Sequence, residues 1–130
     1  MNTAEPMKTL KKILLVDDDS RNIFALKAVL KARGYQCETA ATAREGIEKL
    51  GTDPAIGMIL MDMMMPEMDG YEAIAQIRGN RDTAAIPIIA VTAQAMSGDK
   101  ERCLKAGADA YVSKPVDVDL LSGLLETHLK

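Results

Sequence analysis

Short apolar segments alternate along this chain with longer segments in which apolar residues recur every three or four positions. The short segments have the length and the branched residues of buried β-strands, and the longer ones have the spacing of amphipathic helices. The predicted strands are, in chain order, Lys12–Asp17, Tyr35–Ala40, Ile56–Asp62, Ile86–Ala93 and Asp109–Pro115. Because strands and helices alternate throughout, we predict a parallel sheet covered by helices on both faces.

Capping residues mark where the predicted helices begin. The expected caps are, in chain order, Asp19 or Ser20, Thr42, Asp69 and Ser97. Glu45 and Glu72 stand three residues after two of these caps, as in a capping box. The first helix is predicted to run to about Arg33 and to end at Gly34. The fourth, only weakly amphipathic, is predicted to end at Gly107, and the last helix is predicted over Val118–His128.

The order of the strands follows from how apolar each one is. The strands that end at Asp17 and Asp62 are the most apolar, so we place them near the centre of the sheet. Tyr35–Ala40 alternates between polar and apolar residues and suits an edge. The sequence therefore predicts a flavodoxin-like (βα)5 three-layer sandwich with the strand order 2-1-3-4-5.

Polar residues stand at or just after the carboxyl ends of four of the five predicted strands. These residues are Asp17 and Asp18 after the first strand, Asp62 at the end of the third, Thr92 in the fourth and Lys114 in the fifth. Parallel strands all end at one edge of the sheet, and open α/β sheets bind ligands at that edge, where the strand order reverses. We therefore predict that these side chains converge on one crevice.

Three carboxylates in one crevice repel each other, and the pKa of at least one should rise unless a cation is present. Lys114 supplies only one positive charge against them. Oxygen ligands without a nearby His or Cys favour Mg²⁺ over zinc. The sequence therefore predicts a magnesium site formed by Asp17, Asp18 and Asp62.

A carboxylate beside Mg²⁺ can attack a phosphoryl group. Asp62 is the best candidate nucleophile because it is the only carboxylate on the predicted central strand. Lys114 and Thr92 would supply an ammonium and a hydroxyl to the phosphoryl oxygens. Ala93 is small enough to leave the site open.

Composition excludes several other classes of protein. The net charge of −3 over 130 residues and the lack of a basic run argue against a nucleic-acid-binding surface. No apolar stretch reaches the roughly 20 residues of a membrane span. Residues 1–11 form a polar tail without the apolar core of a signal peptide, so we expect a cytoplasmic protein. Residues 12–130 are expected to form one domain with no output domain after it.

Cys37 and Cys103 are expected to be reduced thiols that pack as small apolar groups.

Four blocks of the sequence resemble the receiver domains of two-component response regulators. The blocks are "LLVDDDSRN", "MILMDMMMPEMDGYEA", "IPIIAVTAQA" and "AGADAYVSKP", and the resemblance covers residues 11–129. It implies a signalling domain, not an enzyme, in which Asp62 accepts a phosphoryl group from a histidine of a sensor kinase or phosphotransfer domain. It also implies that Asp18, Asp62 and the backbone carbonyl of Met64 ligate Mg²⁺, with Asp17 acting through water.

The resemblance assigns the remaining site residues as well. Thr92, Ala93 and Lys114 are implied to bind the phosphoryl group, Thr92 and Tyr111 to form the switch, and Pro115 to follow a cis peptide bond. The fourth helix, fifth strand and fifth helix would carry the output to a partner that the sequence does not name. Met64 stands where the family often has Asn, and Gln94 stands at another variable position two places after Thr92. Together they are expected to set how fast the phosphoryl group is lost. The sequence leaves open whether the domain acts alone or within a hybrid kinase.

Two alternatives remain at this point. A phosphohydrolase of the haloacid dehalogenase type would use Asp17 as nucleophile and Asp19 as general acid, but it would leave Asp62 without a role, and Arg21 stands where that class has Thr or Val. The second alternative is a receiver fold used only for protein interaction. A flavodoxin-like mononucleotide binder is disfavoured because three aspartates follow the first strand, where a phosphate cradle needs backbone amides.

Overall fold

The computed structural model describes residues 11–93 and 98–128, which form five strands and five helices in strict alternation. The strands are β1 (Lys12–Val16), β2 (Gln36–Ala40), β3 (Ile56–Asp62), β4 (Ile88–Thr92) and β5 (Ala110–Ser113). The helices are α1 (Ser20–Ala32), α2 (Ala43–Thr52), α3 (Gly70–Gly79), α4 (Asp99–Ala106) and α5 (Val118–His128).

All strand pairs are parallel, and the order in the sheet is β2-β1-β3-β4-β5. The predicted flavodoxin-like architecture and strand order are therefore confirmed. β3 occupies the centre, with β1 and β4 beside it, and the alternating segment forms the edge strand β2. The chain reverses direction across the sheet between β1 and β3, which places a crevice at their carboxyl ends.

Successive side chains along each strand point to opposite faces of the sheet and pack into two separate hydrophobic cores. Ile13 and Leu15 of β1 pack on the face that α1 and α5 cover, together with Leu121 and Leu125 of α5. Leu14 and Val16 point to the opposite face, which α2, α3 and α4 cover. Both faces of the central strands are thus buried, which explains why β1 and β3 are apolar almost throughout.

Helix caps agree with the sequence prediction at three positions. The Oδ1 of Asp19 accepts the N–H of Arg21, the Oγ1 of Thr42 accepts the N–H of Glu45, and the Oδ1 of Asp69 accepts the N–H of Glu72. Ser97, the fourth expected cap, lies outside the described residues, and α4 begins after Gly98. Gly34 and Gly107 follow the ends of α1 and α4 with φ of 93° and 122°.

Four strands are shorter than predicted. β1 ends at Val16, one residue before Asp17, and β2 begins at Gln36, one residue after Tyr35. β4 begins at Ile88 and not at Ile86, because Pro87 has no N–H to donate to a neighbouring strand; its carbonyl still accepts the N–H of Ile59 at 3.0 Å. β5 covers Ala110–Ser113, so Asp109 stands just outside it. The carboxylate of Asp109 instead accepts hydrogen bonds from the N–H of Ile88 and from Arg78.

The two cysteines are unbridged, and Cys103 is the fully buried residue of α4. Cys37 is half-buried on the edge strand, where burial raises the pKa of its thiol to about 11. Both side chains therefore pack as small apolar groups, as predicted. No helix in the described part of the chain is long and apolar enough to cross a membrane.

Candidate functional site

The carboxyl ends of β1 and β3 bring three aspartates together. Asp17 and Asp18 follow β1, and Asp62 is the last residue of β3. One carboxylate oxygen of each residue lies within 4.8 Å of one from each of the other two. Asp17 and Asp62 are buried, with 5% and 3% of their surface exposed, whereas Asp18 is exposed. The cluster thus has a buried floor and one carboxylate open to solvent.

Lys114 completes the cluster from the end of β5. Its Nζ lies 3.2 Å from the Oδ2 of Asp17 and 3.4 Å from the Oδ2 of Asp62. Its backbone N–H donates to the carbonyl of Thr92 at 2.7 Å, so the ends of β4 and β5 are joined at the same edge. Thr92 is buried and Ala93 is exposed. The structure therefore brings all the polar residues predicted from the strand ends to one edge of the sheet.

Asp17 is held in its ionised form. Burial is the largest single influence on its pKa and would raise it, but hydrogen bonds and charge together outweigh burial and lower the pKa. The N–H of Asp19 donates to Oδ1 at 2.9 Å, and the amide of Asn22 donates to Oδ2 at 2.6 Å. The ammonium of Lys114 acts in the same direction.

For Asp62, the influences that raise the pKa outweigh those that lower it. Burial raises the pKa of this carboxyl, and the charge of Asp17 raises it further. The N–H of Met64 donates to Oδ1 at 3.0 Å, and Lys114 approaches Oδ2, but these two favourable contacts do not offset burial. Of the two buried carboxylates, Asp62 is therefore the one that gains most from an additional cation.

The donor set fits Mg²⁺. The cluster offers three carboxylates and a single ammonium, and the pKa of Lys114 is raised because the charges of Asp62 and Asp17 outweigh the effect of its burial. Hard oxygen ligands, with room for water beside the exposed Asp18, are what Mg²⁺ prefers. No His or Cys belongs to any such cluster of ligands among the residues described.

Gly70 sets the shape of the loop that follows Asp62. An added Cβ there would lie 2.7 Å from the Cα of Met63, so α3 begins in direct contact with the end of β3. The loop holds Met63 buried and leaves Met64 55% exposed next to the carboxylate of Asp62. The sequence indicated only the helix cap at Asp69, and sequence reasoning missed this close approach.

Asn22 was also missed by sequence reasoning. It lies in the first turn of α1, five residues after Asp17, and its amide orients that carboxylate. The available signal was that a cap at Asp19 turns the next few residues back toward the end of β1. The same cap disfavours the hydrolase alternative, because the carboxylate of Asp19 is exposed and is already engaged in accepting the first N–H groups of α1.

The residues expected to form the switch lie on the adjoining strands. Tyr111 on β5 is half-buried against the core beneath α3 and α4, and burial raises the pKa of its hydroxyl. The peptide bond between Lys114 and Pro115 is cis. Gln94, expected to influence phosphoryl loss, lies outside the described residues.

The family model described as the response regulator receiver domain matches residues 13–126. The chain belongs to the response regulator receiver family. As a receiver domain, it has the fold and the acidic cluster that the resemblance implied, and the hydrolase alternative is not favoured.

Curated relatives place similar receiver domains in different settings. The chain is 40% identical over 116 residues to the sensor histidine kinase RcsC of Salmonella typhimurium, covering 89% of this receiver domain but 12% of the kinase. It is 39% identical to a probable cyclic di-GMP phosphodiesterase of Vibrio cholerae, of which it spans 26%. It is 36% identical to the polar-differentiation response regulator DivK of Brucella ovis, covering 92% of this chain and 96% of DivK.

Solved structures agree with this assignment. The chemotaxis protein CheY4 of Vibrio cholerae superposes with a TM-score of 0.85 at 28% identity, covering 93% of this chain and all of CheY4. The receiver domain of the sensor histidine kinase PA1611 from Pseudomonas aeruginosa superposes with a TM-score of 0.83 at 34% identity. The match covers 92% of this chain and 97% of the PA1611 receiver domain. That domain was solved with a magnesium ion coordinated in its active site cleft.

Proposed function

We propose that Asp62 is the residue of this receiver domain that accepts the phosphoryl group. The observation that supports this most is its position: a buried carboxylate at the end of the central strand, 3.4 Å from the Nζ of Lys114 and beside two further aspartates. Asp17 is held by Asn22 and the N–H of Asp19, whereas the Oδ2 of Asp62 lies 3.4 Å from the ammonium of Lys114. Asp62 is therefore the better nucleophile of the two buried carboxylates.

In the transfer step, an oxygen of the ionised Asp62 carboxylate attacks the phosphorus of a phosphohistidine. The P–N bond breaks, its electron pair goes to the imidazole nitrogen, and an acyl phosphate forms on Asp62. The N–H of Met64 holds Oδ1 in place at 3.0 Å, which leaves Oδ2 to carry the new bond. The Lys114 ammonium neutralises charge on the phosphoryl oxygens, and Thr92 and Ala93 line the same edge of the sheet.

Asp18, Asp62 and the backbone carbonyl of Met64 would ligate Mg²⁺ directly, and Asp17 would act through water. The fit rests on three carboxylates that approach within 4.8 Å without a histidine or cysteine in the cluster. When bound, Mg²⁺ favours the ionised form of the nucleophile and neutralises the phosphoryl oxygens. The related PA1611 receiver domain, solved with magnesium in its cleft, supports the same role here.

Phosphorylation would bias a two-state equilibrium at the surface formed by α4, β5 and α5. Thr92 would move toward the phosphoryl group, and Tyr111 would turn further into the space between β5 and α4. Only Cys103 of α4 is buried, so this helix is held by few apolar contacts and can shift at low energetic cost. Met64 and Gln94 would control how water reaches the acyl phosphate.

We further propose that the phosphoryl donor is a sensor histidine kinase or a histidine phosphotransfer domain, and that the output partner binds the α4–β5–α5 surface. The domain would extend over residues 12–130 after a polar tail of residues 1–11, would act in the cytoplasm as a signalling domain and not as an enzyme, and would bind neither nucleic acid nor membranes directly. These assignments are supported by the family and by the net charge of −3.

Intact-mass spectrometry tests the proposal. With Mg²⁺ and acetyl phosphate, the wild-type domain should gain the mass of one phosphoryl group, and Asp62→Asn should gain none. Asp69→Asn is the matched control, because Asp69 is exposed in the same loop and asparagine caps a helix as well as aspartate does. Phosphoryl uptake by Asp62→Asn at the wild-type rate would contradict the assignment.

A further inference from the structure

A groove runs between α2 and α3 on the outer surface of the domain. It consists of three adjoining cavities of about 340, 310 and 160 Å³. Ile47 and Gln76 line both the first and the second cavity, and Arg44 and Met68 line both the second and the third. Because neighbouring cavities share walls, they form one continuous depression, which we call the α2–α3 groove.

The floor of the α2–α3 groove is apolar. Ile47, Leu50 and Met68 are half-buried and pack against the core, and Ile77 beneath them is fully buried. Their remaining apolar surface faces the open groove and loses contact with water only when something covers it. Met68 can change its side-chain conformation easily, which suits a floor that must adapt to an incoming side chain.

The rim of the groove is acidic. Four exposed carboxylates line it, against the single guanidinium of Arg44; they are Glu48, Glu67, Glu72 and Asp82. Among the residues that the structure describes, none of these four forms an ion pair. The acidic groups on the neighbouring edge strand differ, because Lys12 and Lys49 pair with Glu38 there.

We propose that the α2–α3 groove binds a basic amphipathic helix of a partner protein. The apolar side of that helix would cover the floor, and its Lys and Arg side chains would pair with the four rim carboxylates. α2 has 10 residues and is therefore about 15 Å long, which accommodates two to three turns of a bound helix. The surface lies on different helices from the α4–β5–α5 output surface, so the two can be occupied independently.

Gly51 provides a way to block the groove without disturbing the fold. It lies near the end of α2 and lines the 340 Å³ cavity of the groove, and an added Cβ would meet no atom within 4 Å. A phenylalanine at this position would fill the cavity. Gly123 in α5 is equally open, but it lies outside the groove. Gly123→Phe is therefore the matched control for Gly51→Phe.

The probe is a synthetic helical peptide of leucine and lysine with all its leucines on one side, compared with a leucine and glutamate peptide of the same pattern. Both are titrated into isotope-labelled protein with saturating Mg²⁺, and amide shifts are followed by NMR. We expect the lysine peptide alone to shift residues around Ile47, Met68 and Gln76. Gly51→Phe should weaken binding about tenfold, and Gly123→Phe should leave it unchanged.

The charged rim is tested separately. The double variant Glu48→Lys/Glu72→Lys should weaken binding of the lysine peptide about tenfold and reduce its dependence on salt. The proposal would be overturned by equal binding of the two peptides, by shifts confined to residues around Asp18, or by wild-type affinity in Gly51→Phe. Self-association of the free domain that Gly51→Phe abolishes would also overturn it, because the occupant would then be a second copy of this chain.

Discussion

A Cβ atom on Gly70 would lie 2.7 Å from the Cα of Met63, so only glycine allows α3 to begin this close to the end of β3. The same Cβ would lie 3.0 Å from the carbonyl oxygen of Asp62. These neighbours are backbone atoms and cannot rotate away. The loop that follows Asp62 is therefore held tightly between the central strand and the first turn of α3.

Gly70→Ala should lower the free energy of unfolding by about 1–3 kcal/mol, because the backbone must shift to relieve the overlap. Urea denaturation followed by circular dichroism measures this change. Gly79→Ala in the last turn of α3 is the control, since a Cβ there meets no atom within 4 Å. Equal stability of Gly70→Ala and the wild-type protein would show that the loop tolerates a different path.

Asn22→Ala should destabilise the domain at neutral pH by about 1.5 kcal/mol, because it removes a hydrogen bond to a buried carboxylate. The folded-state pKa of Asp17 is lowered, so its contribution to stability is full above the unfolded pKa and is lost as pH falls through the folded pKa. The difference between variant and wild type should therefore shrink in acid. Arg21→Ala, at a side chain that is 94% exposed, should show no such pH dependence.

Asp62→Asn should raise the melting temperature in the presence of EDTA at neutral pH. The folded-state pKa of Asp62 is raised above its unfolded value, so the ionised carboxylate destabilises the fold at pH above the folded pKa. This penalty disappears as pH falls and both states become protonated, and the gain in melting temperature should disappear with it. A fall in melting temperature at neutral pH, with Asp82→Asn as the exposed control, would contradict this interpretation of the site.

Magnesium should stabilise the folded domain by binding to the acidic cluster. At a concentration ten times the dissociation constant, the gain is about 1.4 kcal/mol, or about 4 °C in melting temperature for a domain of this size. Differential scanning fluorimetry against NaCl of matched ionic strength separates binding from charge screening. The gain should be largely lost in Asp18→Asn and kept in Asp82→Asn. A shift of the same size in NaCl alone would argue against a metal site.

Arg78→Met should destabilise the domain by about 3 kcal/mol, because it leaves backbone carbonyls without their donors. The guanidinium donates to the carbonyls of Gly107, Ala84 and Ile86 and to the carboxylate of Asp109. It thereby joins the end of α3 to the segments before β4 and β5. Arg78→Lys should recover little of the loss, since an ammonium cannot reach all these acceptors. Arg81→Met, at an exposed position, serves as the control.

The fold and the cluster of site residues could be predicted because both depend on local patterns. Apolar runs define the central strands, and parallel strands must end at one edge, so Asp17, Asp62 and Lys114 converge whatever the details of the loops. Helix caps at Thr42 and Asp69 were predicted for the same reason, because capping involves residues only three positions apart.

Tertiary contacts between residues that are far apart in the sequence, and the path of individual loops, could not be predicted from the sequence. Arg78 and Asp109 are 31 residues apart, and nothing in the pattern of α3 distinguishes this arginine from one facing solvent. The overlap between Gly70 and Met63 depends on the path of the loop between them. The late start of β5 has the same origin, because Asp109 accepts hydrogen bonds from Ile88 and Arg78 outside the strand.

The most direct test of the central claim is to map the phosphorylated residue. The wild-type domain is incubated with Mg²⁺ and acetyl phosphate, reduced with borohydride to convert the acyl phosphate to an alcohol, and digested for peptide sequencing by mass spectrometry. The structure predicts a single reduced residue, at Asp62. Reduction at Asp17 instead, or no reduced aspartate at all, would contradict the account.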